Sequence, residues 1–322
     1  MSLERIAVVG AGAWGTALAL AAERAGREVI LWGRDVEALA ATRRNEAHLP
    51  GVAIPPSIEI TGTIAHVAKA DAILLATPTQ TVRAVAMRLS AIADGTPVVI
   101  CAKGLERSTM FRPTEVLEQA LPPADPAVLS GPSFAVDVAH GLPTAVTIAA
   151  SEPKLAMALC QALGSPSFRP YAETDMIGVE IGGAFKNVLA IAAGIVTGRQ
   201  LGASASAALI ARGFAELRRI GAAMGARPET LMGLSGLGDL VLTCSSVQSR
   251  NFAYGIALGR GEAPALGLVE GAATAPVARE MARTHSIQMP ITEAVAAIVE
   301  GEIDIDEAIL ALMSRPLKHE TD

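Results

Sequence analysis

Aromatic side chains are scarce in this chain: Phe, Trp and Tyr make up 3% of its 322 residues. Surfaces that stack nucleic-acid bases are built from such rings. Nor does a net charge of −6 offer the basic patch that phosphate backbones require. Nucleic acid is therefore not an expected partner. Cysteine is also rare. Cys101, Cys160 and Cys244 lie far apart, form no C-x-x-C, and leave an odd count that suits a reducing cytosol. The histidines are scattered without H-E-x-x-H spacing, so no metal site is expected. One uncharged run, Ile6 to Ala22, follows Arg5 and imitates an export signal. No other uncharged run is clearly long enough to span a bilayer. The expectation is a cytoplasmic protein with no integral membrane segment.

The imitation dissolves once the glycines in that run are read. Ile6–Val9 is a strand-like apolar run that enters Gly10-x-Gly12-x-x-Gly15, and the segment from Thr16 is helical in pattern. Gly10 permits a tight turn, Gly12 lets a pyrophosphate approach the backbone, and Gly15 lets helix and strand pack closely. Ala13 and Trp14 lie inside this turn. The helix start then presents free N–H groups and positive dipole to phosphate. Strand, glycines and helix come in the order a dinucleotide site requires. The next strand ends at Gly33-Arg34-Asp35. An acidic residue at the strand end reads a ribose hydroxyl in NAD-selective sites, whereas Arg34 suits a 2′-phosphate. NADP is favoured, with NAD possible.

The first half alternates strand and helix. Strand-like runs are 6–9, 29–32, 58–60, 72–77, 98–102, 128–130 and 145–149. Such alternation predicts a doubly wound parallel sheet. Ser151-Glu152-Pro153 reads as a helix start. Beyond Tyr171 the chain turns Ala-, Leu- and Gly-rich with helical periodicity and no convincing strand. The fold class is thus α/β, a Rossmann-type dinucleotide-binding domain over 1–174 joined to an all-helical substrate domain over 175–322. At the carboxyl edge of the predicted sheet fall Thr77-Pro78-Thr79-Gln80, Lys103-Gly104-Leu105-Glu106 and Ser130-Gly131-Pro132-Ser133, where ligands of doubly wound sheets sit.

In the helical half, the stretch from Ile177 to Thr197 is apolar but for Glu180, Lys186, Asn187 and terminal Thr197. Gly182, Gly183, Ala190 and Ala193 share the helix face from which Lys186 projects. A buried lysine loses proton affinity and becomes able to exchange protons near neutrality. Asn187 beside it suits a substrate hydroxyl or a neighbouring loop. Farther on, Gly236 and Gly238 set Asp239 on a turn, with Thr243 one helical turn beyond. Asp239 suits either a hold on Lys186 or a substrate hydroxyl. Ser249-Arg250-Asn251 reads as a helix start carrying an arginine, a ready phosphate site.

Taken together, GAGAWGTALA (10–19), RNEAHLPG (44–51), KGLE (103–106), SGPSFA (130–135), IGVEIGGAFKNV (177–188), SGLGDLVLTC (235–244), SRN (249–251) and VEG (269–271) resemble the bacterial NAD(P)-dependent glycerol-3-phosphate dehydrogenases. The resemblance runs from about Ile6 to Ile291. It implies a homodimer with a 6-phosphogluconate-dehydrogenase-like helical domain. The activity implied is reversible reduction of dihydroxyacetone phosphate to sn-glycerol 3-phosphate, which supplies phospholipid synthesis. Lys186 would then be the general acid/base. Substrate contacts would fall on Lys103, Gly131, Ser133, Asn187, Asp239, Thr243, Ser249, Arg250 and Asn251. Cofactor contacts would fall on the turn glycines, Ala13, Trp14, Arg34, Lys103, Ala135, Arg250, Leu268 and Glu270. Ala13 departs from the serine usual there, and the stretch between Asn251 and Glu270 is shorter than usual. Three other readings remain. A 3-hydroxyacid or 6-phosphogluconate-type dehydrogenase shares the domain plan, a non-catalytic NADP sensor needs no buried lysine, and a sugar-nucleotide dehydrogenase would need Cys244 as nucleophile.

Overall fold

The computed structural model describes residues 3–93, 95–264, 267–317 and 319. Its first half builds one sheet. β1 (Arg5–Val9) feeds α1 (Ala13–Arg24), β2 (Glu28–Trp32), α2 (Glu37–Thr42), β3 (Ile58–Thr61), β4 (Ala72–Leu75), α3 (Val82–Leu89) and β5 (Val98–Ile100). There follow α4 (Pro113–Ala120), β6 (Pro126–Ser130), α5 (Ala135–Ala139), β7 (Thr144–Ala150), α6 (Pro153–Leu163) and β8 (Phe168–Glu173). The strand order is β3-β2-β1-β4-β5-β6-β7-β8. The chain reverses direction across the sheet between β1 and β4, and ligands of doubly wound sheets bind at that switch point. The central strands are apolar on both faces because helices cover both.

Two features depart from the expected sheet. β7 runs antiparallel to β6, with Val128 opposite Ala149. Their connection holds only the five-residue α5, and a parallel return needs a longer crossover helix. β8 was not foreseen as a strand. Its sequence, FRPYAE, is largely polar, half exposed without regular alternation, and carries Pro170. That is how an edge strand is kept from pairing further. Two expected strands also stop early, β4 at Leu75 and β5 at Ile100. α6 begins at Pro153 with Glu152, not Ser151, in the cap position.

From Met176 onward the described residues are helical: α7 (Met176–Gly198), α8 (Ala203–Ala223), α9 (Pro228–Met232), a π-helical turn over Leu234–Gly238, and α10 (Asp239–Ser245). α11 (Arg250–Arg260), α12 (Glu270–Thr284), α13 (Pro290–Val299) and α14 (Ile305–Met313) complete the set. α7 is long and apolar enough to cross a membrane, yet its apolar window is wholly buried among the other elements. It is the axis of the second core, in contact with sheet, loop and helix alike. Glu180 and Lys186 are its buried charged residues. Glu180 accepts hydrogen bonds from Arg112 Nη1 (3.0 Å), Thr114 N (2.8 Å) and Thr114 Oγ1 (2.7 Å), which ties α7 to the start of α4.

Asp175 fixes where α7 begins. Its Oδ1 accepts from Gly178 N at 2.8 Å, and its Oδ2 accepts from Arg227 N at 2.8 Å. Replacing this cap, Asp175→Ala, should cost about 1 kcal/mol, read as a thermal midpoint lower by roughly 2–4 °C. An unchanged midpoint would remove Asp175 from that role.

Candidate active site

The glycine turn is built as a phosphate cradle. Gly10 has φ +121°, and a Cβ there would lie 2.7 Å from Ala76 O. Gly12 occupies the cap position of α1, whose start has no side-chain cap, so its N–H groups are left for a ligand. Around Gly12 a Cβ would meet nothing within 4 Å, which leaves the backbone open. Gly15 packs directly on the Gly10 carbonyl. Asn45 braces the turn from outside, donating to Ala11 O (3.0 Å) and Thr16 Oγ1 (2.8 Å). Sequence reading gave Asn45 no role of its own. Ala13 and Trp14 open α1, and the Trp14 indole N–H is buried without a partner. Arg34 is exposed at the end of β2. An uncapped helix start, an open Gly12 and an exposed arginine fit a dinucleotide with its pyrophosphate on α1.

At the carboxyl edge of the same sheet lies the charged centre. Lys186 is 6% exposed. Its Nζ donates to Asp239 Oδ1 at 2.6 Å and to Thr243 Oγ1 at 2.7 Å. Lys103, just beyond β5, donates to Asp239 Oδ2 at 2.7 Å and to Gly131 O at 3.1 Å. Thr243 in turn donates to Asp239 Oδ1 at 3.2 Å. One buried carboxylate thus serves two ammonium groups. Burial pushes the Asp239 carboxyl up, but the two lysines more than reverse this and hold it below its ordinary value. Lys186 moves the other way. Burial lowers it, Asp239 raises it and Lys103 lowers it, leaving it at about 8. An amine with that value exchanges protons at neutral pH. The expected arrangement of Asp239 holding Lys186, with Thr243 one turn on, is what the helix register delivers. The neighbouring Cys244 is a poor nucleophile: burial pushes its thiol up to about 12 against the pull of Lys186.

A second wing of the site comes from α11 and α12. Ser249 caps α11, accepting from Phe252 N at 3.3 Å, and exposed Arg250 opens the helix. Asn251 Nδ2 donates to Asn187 Oδ1 at 2.9 Å, and Asn251 Oδ1 accepts from Gly271 N at 2.9 Å. Asn187 Nδ2 donates to Lys103 O at 3.0 Å. The Asn187 amide thus links the loop at Lys103 to the start of α11. Ser133 Oγ donates to Gly131 O at 3.0 Å, and Ala135 begins α5. Glu270 opens α12, and its Oε1 accepts from Thr79 N at 3.2 Å while its Oε2 is buried and unpartnered. Burial raises its carboxyl against bonds from Thr79 and the charges of Arg250 and Arg107. Leu268 lies just before α12 and is 41% exposed. Between α11 and α12, residues 265–266 lie outside the described residues. Thr79 lies in the Thr77-Pro78-Thr79-Gln80 loop expected at the sheet edge, but its partner was not foreseen. Its backbone N–H meets Glu270 across 191 positions of chain, a pairing no local pattern signals.

Known proteins share the sequence and fold. The model for the NAD-dependent glycerol-3-phosphate dehydrogenase N-terminus matches residues 5–156, and that for the C-terminus matches residues 175–310. A glycerol-3-phosphate dehydrogenase [NAD(P)+] of Bradyrhizobium diazoefficiens is 62% identical, with 98% of each chain covered. The chain belongs to the NAD-dependent glycerol-3-phosphate dehydrogenase family. A crystal structure of a glycerol-3-phosphate dehydrogenase from Coxiella burnetii superimposes with TM-score 0.92 at 37% identity, over 97% of this chain and 99% of that one. A ketopantoate reductase from Ralstonia solanacearum shares the fold alone, at TM-score 0.65 and 21% identity over 93% of this chain and 97% of that one. Membership sets aside the hydroxyacid-type dehydrogenase and the non-catalytic sensor.

The charge balance makes a prediction. Asp239 raises Lys186, so Asp239→Asn should move the Lys186 midpoint below about 8. Turnover that requires a neutral lysine should then begin at lower pH, though at a lower maximum. A pH–rate profile of alcohol oxidation checks this, and a midpoint that stays put or rises would refute the coupling.

Proposed function

We propose that this chain reversibly reduces dihydroxyacetone phosphate to sn-glycerol 3-phosphate with NADPH or NADH. The observation that carries the reading is the buried Lys186–Asp239–Lys103 centre at the carboxyl edge of a dinucleotide-binding sheet. Residues 1–174 would hold the cofactor, and residues 175–322 would supply most substrate contacts. Gly10, Gly12, Ala13, Trp14 and Gly15 would receive the pyrophosphate at the start of α1. Arg34 would meet a 2′-phosphate. Ala135, Leu268 and Glu270 would flank the nicotinamide end, and that ring supplies or accepts the hydride when bound.

The rest of the reaction falls to the chain's own groups. Lys186 in its ammonium form donates a proton to the carbonyl oxygen as hydride arrives. In the reverse direction its neutral amine takes the proton of the alcohol. Asp239 holds Nζ in place and offsets its charge in both states. Lys103 leaves Asp239 or Gly131 O to polarise the same oxygen, with Thr243 completing the shell. The phosphate would rest on Ser249, Arg250 and Asn251, where a helix start and a guanidinium point together. Gly131 and Ser133 close the opposite wall. Because Lys186 titrates at about 8, reduction should weaken above that pH while oxidation strengthens.

A homodimer is part of the same proposal, supported by the exposed apolar residues Leu310, Met313 and Leu317 near the end of the chain. A cytoplasmic setting is supported by three buried, free cysteines.

Oxidation of NADPH and NADH with and without dihydroxyacetone phosphate tests the reaction, and absence of substrate-dependent turnover would overturn it. Lys186→Ala should keep cofactor affinity and lose turnover by about 10²–10⁴-fold, the share general acid–base catalysis contributes. Wild-type rates in that variant would remove Lys186 from the chemistry. Arg250→Ala should chiefly raise the substrate KM, by about tenfold or more for the loss of charge-assisted bonds worth 1.5–3 kcal/mol. If KM stays constant, the phosphate lies elsewhere.

A further inference from the structure

The carbonyls of the turn between β1 and α1 are each accounted for. Gly10 O packs against Gly15, where a Cβ would strike it. Gly12 O accepts from Thr16 N at 2.9 Å. Ala11 O, between them, is held from outside the turn: Asn45 Nδ2 donates to it at 3.0 Å and to Thr16 Oγ1 at 2.8 Å. A carbonyl takes only donors, so the amide presents its NH2 here and spends both hydrogens. Asn45 is itself fixed. It is 6% exposed, and its own carbonyl accepts from His48 N at 3.1 Å and Leu49 N at 2.7 Å. Leu49, Val52 and Ile54 of the same loop are buried in the core that α1 shares.

Asn45 therefore sets the direction of one peptide. In a trans peptide the C=O and the following N–H point opposite ways, so a hold on Ala11 O aims the Gly12 N–H away from Asn45. Gly12 has room for a ligand, since a Cβ there would meet nothing within 4 Å, and it stands at the uncapped start of α1. The Ala11–Gly12 peptide needs such a hold because it turns about a glycine, whose backbone resists rotation least. Turned over, it would present a carbonyl oxygen where a phosphate has to sit. We propose that Asn45 is a positioning residue of the cofactor site: by holding the Ala11 carbonyl it keeps the Gly12 N–H aimed at the pyrophosphate. This role rests on the pyrophosphate placement proposed above and is independent of the substrate.

Nucleotide fluorescence gives the Kd of NADPH and of NADH on wild type, Asn45→Ala, Asn45→Asp, Thr16→Val and Gly12→Ala, with a thermal midpoint for each protein. Both nucleotides carry the pyrophosphate, so both should respond alike. Asn45→Ala should raise the two Kd values by about three- to tenfold, the share of one hydrogen bond. Asn45→Asp sets a carboxylate against the Ala11 carbonyl and should raise them by about tenfold or more. Thr16→Val removes the other bond of the same amide but leaves Ala11 held, so its Kd should stay within about twofold while its midpoint falls. At saturating cofactor, the KM for dihydroxyacetone phosphate should hold in the Asn45 variants. Asn45→Ala carries the test if Asn45→Asp does not fold. An unchanged Kd in Asn45→Ala, or a Kd that rises as far in Thr16→Val, would overturn the role, as would a substrate KM that rises in step with Kd. Normal cofactor binding by Gly12→Ala would instead overturn the placement of the pyrophosphate on this turn.

Discussion

The site depends on one buried carboxylate. Asp239 is 1% exposed and receives Lys186 on one oxygen and Lys103 on the other. Without it two ammonium groups would face each other in a water-poor interior, and burying unpaired charge is among the largest penalties in a fold. With it the centre holds two positive charges and one negative, an excess of one. Burial, with Lys103 beside it, is what allows Lys186 to release a proton near neutral pH, while Asp239 holds it in place. The same arrangement offers a positive field where a carbonyl oxygen would gain negative charge. Stability and chemistry thus draw on a single ion cluster.

Three separate parts of the chain meet at that carboxylate. β5 delivers Lys103 at the sheet edge, α7 delivers Lys186 from the core, and α10 delivers Asp239 and Thr243 after a π-helical turn. Backbone-to-backbone contact is what brings them close. A Cβ on Gly182 would lie 2.7 Å from Ser235 O, so α7 and the turn before Asp239 nearly touch. A Cβ on Gly183 would lie 3.0 Å from Ser130 Oγ and 3.4 Å from Lys103 Cγ. α7 is almost wholly buried and rich in glycine because the π-helical turn, α10, α11 and α12 all pack on it.

Much of this was legible in sequence because the signals were local. Gly10, Gly12 and Gly15 sit in fixed register after a strand, Ser249 caps the helix it was expected to cap, and Lys186 stands out in an apolar stretch. The parts that escaped reading are non-local or half-exposed. β8 pairs through backbone atoms while its side chains, among them Arg169, Pro170 and Glu173, follow no strand-like alternation. The reversal of β7 depends on how little helix the β6–β7 connection contains. Thr79 meets Glu270, and Glu180 meets Arg112, only after the sheet and the helical half have docked. Adjacent to Lys186, Asn187 suits a substrate hydroxyl or a neighbouring loop, and its amide also joins Lys103 O to Asn251, links that only the folded chain makes visible.

The account stands or falls on Lys186 being an amine near neutrality, so its protonation is the quantity to measure. Titration of isotope-labelled lysine side chains by NMR in the cofactor-free protein, with Lys186→Arg to assign the signal, reads it directly. A midpoint at about 8, well below the ordinary 10.5, is the result expected. A midpoint at the ordinary 10.5 would show that Asp239 outweighs burial, and would contradict Lys186 as the proton-exchanging group.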